Sequence, residues 1–235
     1  MKPIIEAHRG YSGVYPENTL LAFEKAVACG APSIELDVHV TKDGEIIVMH
    51  DANVKRTTNG EGEISALTLA EIKKLDAGQW KGFSGVTVPT LAEALALTDS
   101  SNVHYNVEVK RFGDDGTAAR KLYKLLIDHA PTDSPHVVSS FDLQALLDVR
   151  KAGTKIPLCI LGSKAYELLP IAKDNKFQWI HSHFSTVDQA FVDAAHEAGI
   201  KVMIWTVEVA DYQKYAAMGV DKICTNWCKE MLALQ

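Results

Sequence analysis

Long apolar runs, a surplus of positive charge and patterned cysteines are all missing from this chain, and each absence narrows what it can be. Nothing in its 235 residues approaches the roughly 18 consecutive apolar residues of a membrane-crossing helix, so no membrane span is expected. The opening residues, MKPIIEAHRG, hold no apolar run of signal-peptide length, and the expected location is the cytoplasm. With 24 Lys and Arg against 30 Asp and Glu, the net charge is −6, and a nucleic-acid partner is not expected. A local group of cations can still hold one phosphate inside an acidic protein. The four cysteines, Cys29, Cys159, Cys224 and Cys228, lack zinc-ligand spacing and sit among apolar residues, which reads as reduced core thiols. Repeats and low-complexity segments are absent as well. What is present is a hydrophobic content of 47%, enough for one large core, and a single domain over 1–235 is expected.

Short β-branched runs alternate with helical stripes along most of the chain. Strands are expected near residues 4, 34, 104, 137, 158, 179, 202 and 222, with helices between them, the pattern of parallel βαβ units. The first helix is expected to run to about Gly30, with Asn18 or Thr19 as its N-cap. Later helices are expected over 187–198 and 211–218, and the seventh strand over 202–207. Thr68-Leu69-Ala70-Glu71 and Thr90-Leu91-Ala92-Glu93 have capping-box spacing. The stretch between His50 and Thr90 is too long for an ordinary connection and reads either as a cap over a site or as padding. Eight βα units in a chain of this length predict a TIM (β/α)8 barrel, whose site lies at the C-terminal ends of the strands.

The chemistry concentrates in residues 33–51, SIELDVHVTKDGEIIVMHD. Side chains on a strand alternate faces, so Glu35 and Asp37 project together while Ile34, Leu36 and Val38 project oppositely. Two neighbouring carboxylates call for a positive partner, either a basic side chain or a hard divalent cation. His50 just past a strand end suits proton transfer, and His8 and Arg9 follow the first strand. Glu108 and Lys110, Phe141, Trp205 and Asn226 fall at later strand ends. Glu17 and Asn18 read as capping and loop hydrogen-bonding residues, His181 and His183 as structural, and His39 as lying outside the innermost shell.

The ordered motifs HRG (8–10), PENT (16–19), ELDVHVTKDGEIIVMHD (35–51), NVEVK (106–110), SSFD (139–142) and WTV (205–207) resemble the glycerophosphodiester phosphodiesterase family across nearly the whole chain. That resemblance implies a TIM barrel with a small insertion after the second barrel strand, matching 52–88 here. It implies hydrolysis of a glycerophosphodiester, a small-molecule substrate, to glycerol 3-phosphate and an alcohol. A divalent cation, Mg2+ or Ca2+ with Mn2+ also compatible, would be held by Glu35, Asp37 and Glu108. His8 and His50 would be the acid and base pair, Arg9 and Lys110 would bind phosphate, and Phe141 and Trp205 would line the glycerol carbons. An all-carboxylate shell suits a hard cation. Which histidine is the acid stays open, as do the head group, the metal and the oligomeric state.

One departure stands out. The family pattern Thr-Asp-x-Pro is Thr225-Asn226-Trp227-Cys228 here, which removes a carboxylate expected to orient a cation such as Arg9 and a proline that starts the last helix. Neither change is expected to touch a metal or proton-transfer position. Two other readings remain: a lysophospholipase D-like or sphingomyelinase D-like phosphodiesterase, or a non-catalytic metal-binding barrel. The polar 52–88 segment, with Lys55, Arg56, Asn59, Glu61 and Glu63, argues against the first, and the presence of both His8 and His50 against the second.

Overall fold

The apolar alternation fixes which side of each strand faces a helix, and a closed parallel sheet is the outcome. In the computed structural model, which describes residues 2–113, 115–130 and 135–235, nine strands are present. They are β1 (Ile4–His8), β2 (Ser33–Val40), β3 (Ile46–Val48), β4 (His104–Val109), β5 (Val137–Ser140), β6 (Leu158–Gly162), β7 (Trp179–His183), β8 (Lys201–Trp205) and β9 (Lys222–Thr225). All but β3 are parallel, in the order β1-β9-β8-β7-β6-β5-β4-β2, and pairing of β1 with β2 closes the barrel. Strand β3 runs antiparallel on the far half of β2, with Val38 opposite Val48.

Helices α1 (Leu20–Ala28), α2 (Leu69–Ile72), α3 (Leu91–Ser101), α4 (Thr117–Asp128), α5 (Leu143–Ala152), α6 (Ala165–Asp174), α7 (Gln189–Glu197), α8 (Tyr212–Ala217) and α9 (Cys228–Leu232) lie between or after strands. Ile34, Leu36 and Val38 belong to the main core with Phe23, Ala26 and Leu91 of the surrounding helices. The barrel interior is different. Val137, Cys159, Trp179, Met203 and Cys224 form a separate apolar plug there, beside a buried ion pair in which Lys222 Nζ lies 2.6 Å from Glu6 Oε2. Ser33 Oγ donates to the same oxygen at 2.6 Å and Asn106 Nδ2 to Glu6 Oε1 at 3.2 Å. A charge turned into a barrel must be paired in this way.

Several element ends differ from the sequence expectation, each for a local reason. Thr19 alone caps α1, its Oγ1 accepting from the Ala22 amide at 3.2 Å, because Asn18 has φ 56° and points elsewhere. Strand β8 stops at Trp205 rather than Val207, since Thr206 has φ 57°, a left-handed conformation that costs a β-branched residue energy and ends the strand. Helix α7 starts at Gln189 rather than 187, because Asp188 is its N-cap, following a 3-10 turn over Phe184–Thr186. Both capping boxes form: Thr68 with Glu71 at α2, and Thr90 with Glu93 at α3, where Glu93 Oε2 accepts from the Thr90 amide at 2.7 Å. Between β3 and α3 the chain builds a small core of its own from Ile47, Met49, Val54, Ile64, Ile72, Ala77 and Val88. Among the described residues no helix is long and apolar enough to cross a membrane.

Candidate active site

Strand register brings the acids together. Glu35 lies opposite Asn106 and Asp37 opposite Glu108 across the β2–β4 pair, and paired residues on adjacent strands project to the same face. Glu35, Asp37 and Glu108 therefore converge inside the barrel, buried, with one oxygen from each within 4.8 Å of the others. Burial and then the Asp37 charge push Glu35 well above the usual carboxylate range, and the same two causes raise Glu108. Burial would also raise Asp37, but Arg9 and Lys110 outweigh it and hold that carboxyl down. Three buried carboxylates with crowded, mutually repelling oxygens make a donor set that could hold a metal ion, and a hard cation takes oxygen ligands of this kind.

Arg9 and Lys110 face these acids. Arg9 Nε is 3.3 Å from Asp37 Oδ2, an ion pair without hydrogen-bond alignment, and its Nη1 donates to Glu17 Oε1 at 2.9 Å. The backbone at Arg9 is left-handed, φ 55°, so that its amide donates to Glu35 Oε2 at 3.0 Å. Strain of this kind is held only where surrounding contacts over-determine it. Lys110 Nζ donates to Glu108 and lies 3.3 Å from Asp37 Oδ1. Glu17 and Asn18, expected as loop and capping residues, instead belong to this network. Asn18 Nδ2 donates to Asp37 Oδ2 at 2.9 Å, and Glu17 bridges Arg9 to Arg56.

The two histidines have different partners. His8 Nε2 is 3.9 Å from Glu35 Oε2, and its Nδ1 is 2.7 Å from Asn226 Oδ1, where the amide oxygen accepts the ring proton. Burial, then the Arg9 charge, lowers His8 to about 4 against the opposing pull of the Asn226 bond. Asn226 thus touches a proton-transfer candidate and not Arg9, which corrects the expectation drawn from the missing carboxylate. His50 Nδ1 is 2.7 Å from Asp51 Oδ1, and Arg56 clamps Asp51 through Nε at 2.7 Å and Nη2 at 3.0 Å. The Arg56 bond, then the one to His50, keeps Asp51 far below the usual carboxylate range against burial. His39 Nε2 donates to the His50 carbonyl at 3.0 Å, so a strand residue fixes the backbone of a loop histidine.

An open cavity of about 600 Å³ at the C-terminal ends of the strands is lined by His8, Arg9, Glu35, His50 and Glu108, together with Phe141 and Trp205. Asp37 sits behind that wall, and Lys110 lines the neighbouring cavity beside His39 and Arg111. Phe141 is 55% exposed, and its ring meets Trp205 edge-on with centroids 6.5 Å apart. The His183 ring also meets Trp205 edge-on, with centroids 4.7 Å apart.

The sequence model of the glycerophosphoryl diester phosphodiesterase family matches residues 8–229, from the first histidine of the site into the last helix. The chain belongs to that family. Among relatives of the glycerophosphoryl diester phosphodiesterase family, a glycerophosphodiester phosphodiesterase of Caldanaerobacter subterraneus subsp. tengcongensis is 36% identical over 235 residues, covering 96% of this chain and 95% of its own. A phosphodiesterase of Oleispira antarctica, solved in complex with the product sn-glycerol-3-phosphate, superposes with a TM-score of 0.93 at 31% identity, covering 99% of this chain and 96% of its own. A glycerophosphodiester phosphodiesterase structure from Agrobacterium tumefaciens, at 24% identity and TM-score 0.85 over 99% of this chain and 100% of its own, shares the fold. Glycerophosphodiester phosphodiesterases are phosphoric diester hydrolases, and this chain is one of them.

Sequence reading missed Glu17, Asn18, Asp51 and Arg56 as parts of the site, and placed Asn226 there with the wrong partner. A usable signal existed for two. Asp51 directly follows His50, and Asn18 stands between a proline-led turn and a threonine already sufficient as N-cap. Arg56 pairs with Asp51 five residues away and with Glu17 39 residues away, and neither spacing is one that a strand or helix period marks.

Proposed function

We propose that this barrel converts glycerophosphodiesters to sn-glycerol 3-phosphate and an alcohol, with His8 taking a proton from the nucleophile and His50 giving one to the leaving alcohol. The observation that carries this reading is the pairing of the two rings across one cavity, one with a neutral amide and the other with a clamped carboxylate. Because His8 donates Nδ1–H to Asn226, its Nε2 bears a lone pair beside the acid cluster. His50 has the Asp51 carboxylate to offset the charge it carries when both ring nitrogens hold protons.

Mg2+ or Ca2+, with Mn2+ also compatible, would be held by Glu35, Asp37 and Glu108, and supplies charge stabilisation at the phosphoryl oxygens when bound. Arg9, on the cavity wall, and Lys110 bind the phosphate, offsetting the negative charge that grows as the nucleophile approaches. Phe141 and Trp205 pack on the glycerol carbons, and residues 52–88 act as a cap that reaches the site through Arg56. In the first step the glycerol hydroxyl beside the phosphate attacks phosphorus. Its proton passes to His8, the bond to the head-group oxygen breaks, and that oxygen takes the His50 proton. Water then opens the cyclic phosphate with the two roles reversed. The bound product in the Oleispira antarctica relative supports the assignment of the glycerol 3-phosphate half.

Leaving-group substitution tests the roles. In single-turnover release of the leaving group, His50→Ala is expected to lose roughly 10²- to 10⁴-fold in rate with choline and far less with a nitrophenolate, which departs without a proton. His8→Ala is expected to lose a similar factor with both. Equal sensitivity of both variants, or an unimpaired His8→Ala, would overturn the assignment.

A further inference from the structure

Outside the barrel mouth, one pair of side chains has a chemistry that neither the fold nor the reaction uses. Cys29 closes α1 as its C-cap residue, and Cys228 is the first residue of α9. They are 199 residues apart in sequence, yet their sulfurs lie 3.5 Å apart. Closing to the roughly 2.05 Å of a disulfide needs a movement of about 1.5 Å, within the reach of side-chain rotation at two helix ends. Cys228 is buried, whereas Cys29 is only partly buried and its thiol donates to the Ala26 carbonyl at 3.1 Å.

We propose that Cys29 and Cys228 are a reversible dithiol–disulfide site that fastens the first helix of the barrel to the last under a hydroperoxide oxidant. The two sulfurs are unequal in a way that sets their order of reaction. The hydrogen bond from Cys228, opposed by burial, brings the Cys29 thiol down to about 7, while the same bond and burial push Cys228 up. Cys29 is therefore both the accessible sulfur and the one that forms thiolate, and thiolate is the nucleophile. The other two cysteines, Cys159 and Cys224, are buried in the barrel plug, where burial drives both thiols well up, and they stay out of the reaction.

The Cys29 thiolate attacks one oxygen of hydrogen peroxide. An S–O bond forms, the O–O bond breaks, and hydroxide leaves, giving Cys29 sulfenic acid. Cys228 sulfur then attacks the Cys29 sulfur. The S–S bond forms, the S–O bond breaks, and the departing hydroxide takes the Cys228 proton as water. Together the two thiols give up two electrons and two protons, and one peroxide becomes two waters. An added dithiol reverses the step.

The cross-link would close nearly the whole chain into one loop, so its effect on the unfolded chain is large. It is expected to raise the Tm by on the order of 10 °C. The experiment treats the full chain with hydrogen peroxide at stoichiometric ratio, counts free thiols after denaturation, maps peptides without reductant and records Tm. The expected result is a fall from four thiols to two, a single Cys29–Cys228 linked peptide pair lighter by two hydrogens, and a Tm rise that dithiothreitol reverses. Cys228→Ser should leave Cys29 as sulfenic acid, trappable by dimedone, with no rise in Tm. Cys29→Ser, a change at the partly buried partner, should abolish both the cross-link and the rise. Over-oxidised Cys29 beside an intact Cys228 thiol, or a cross-link that leaves Tm unchanged, would overturn the proposal.

Discussion

Replacing Lys222 by methionine leaves Glu6 buried in the barrel without its cation, and the cost can be worked from the geometry. Both side chains are shut away from solvent, at 0% exposure for Glu6 and 1% for Lys222. Burial alone would raise the Glu6 carboxyl, but the charges of Lys222 and then His181, with the bonds from Lys222 and Ser33, bring it from 4.5 down to about 2. Removing one member of a buried, hydrogen-bonded ion pair costs roughly 3–5 kcal/mol, because the remaining charge is left buried without a partner. For a domain of this size the Tm should fall by about 10 °C at pH 7. The pH dependence is the sharper test. In the native protein Glu6 is depressed below its unfolded value, so its contribution is complete above 4.5 and is lost as pH falls toward about 2. In Lys222→Met the unpaired carboxyl is raised instead, and acid relieves it. The Tm gap between native and variant should therefore narrow from pH 7 to pH 4. Glu6→Met combined with Lys222→Leu should recover most of the loss. Thermal scans across that range decide the matter, and a gap constant with pH would refute the reasoning.

Three further outcomes follow from the same structure. Asp37→Asn removes the buried acid that faces both Arg9 and Lys110 and should weaken divalent-metal binding by ~10-fold or more, read by calorimetric titration with Mn2+; unchanged affinity would exclude the Glu35–Asp37–Glu108 group. Arg56→Ala frees Asp51 and should lower kcat by ~10- to 100-fold with KM little changed, since the clamp orients His50 without lining the cavity; a pure KM effect would count against it. Burial lowers His104 and His181 to about 3 and His136 to about 4, so below 6.5 these three rings bind more protons in the unfolded chain than in the folded one, whereas the raised Glu35 and Glu108 do the reverse. With both acids changed, in Glu35→Gln/Glu108→Gln, the Tm should decline steadily from pH 6.5 to 5, and a flat profile over that range would contradict the burial of these rings.

The eight barrel strands were legible because each turns an apolar stripe toward a helix, and that stripe has a period readable within a few residues. Ile34, Leu36 and Val38 show it, and the same alternation placed Glu35 and Asp37 inward. Element ends were less legible. Thr206 stops β8 through a left-handed backbone that no propensity assigns to a β-branched residue, and the stop keeps Trp205 at the cavity mouth. Several contacts that orient the candidate groups were invisible for another reason, namely that they join distant parts of the chain. Arg56 reaches Glu17, 39 residues away, and His8 reaches Asn226, 218 residues away.

Position 226 shows how closure changes what a substitution means. Judged against the family pattern, loss of a carboxylate there would leave Arg9 short of a partner. Arg9 already has Glu17 and Asp37, so its charge balance does not depend on residue 226. The residue that does depend on it is His8, whose Nδ1 needs an acceptor, and an amide oxygen accepts as a carboxylate oxygen does. What the amide withholds is negative charge, beside a cluster that already concentrates three carboxylates. Asn226 therefore preserves the orientation of His8 while sparing the most crowded acids in the chain a further repulsion. Asn226→Ala should accordingly harm turnover more than Asn226→Asp, because only the alanine removes the acceptor. A larger loss in Asn226→Asp than in Asn226→Ala would show that charge, and not orientation, is what position 226 supplies.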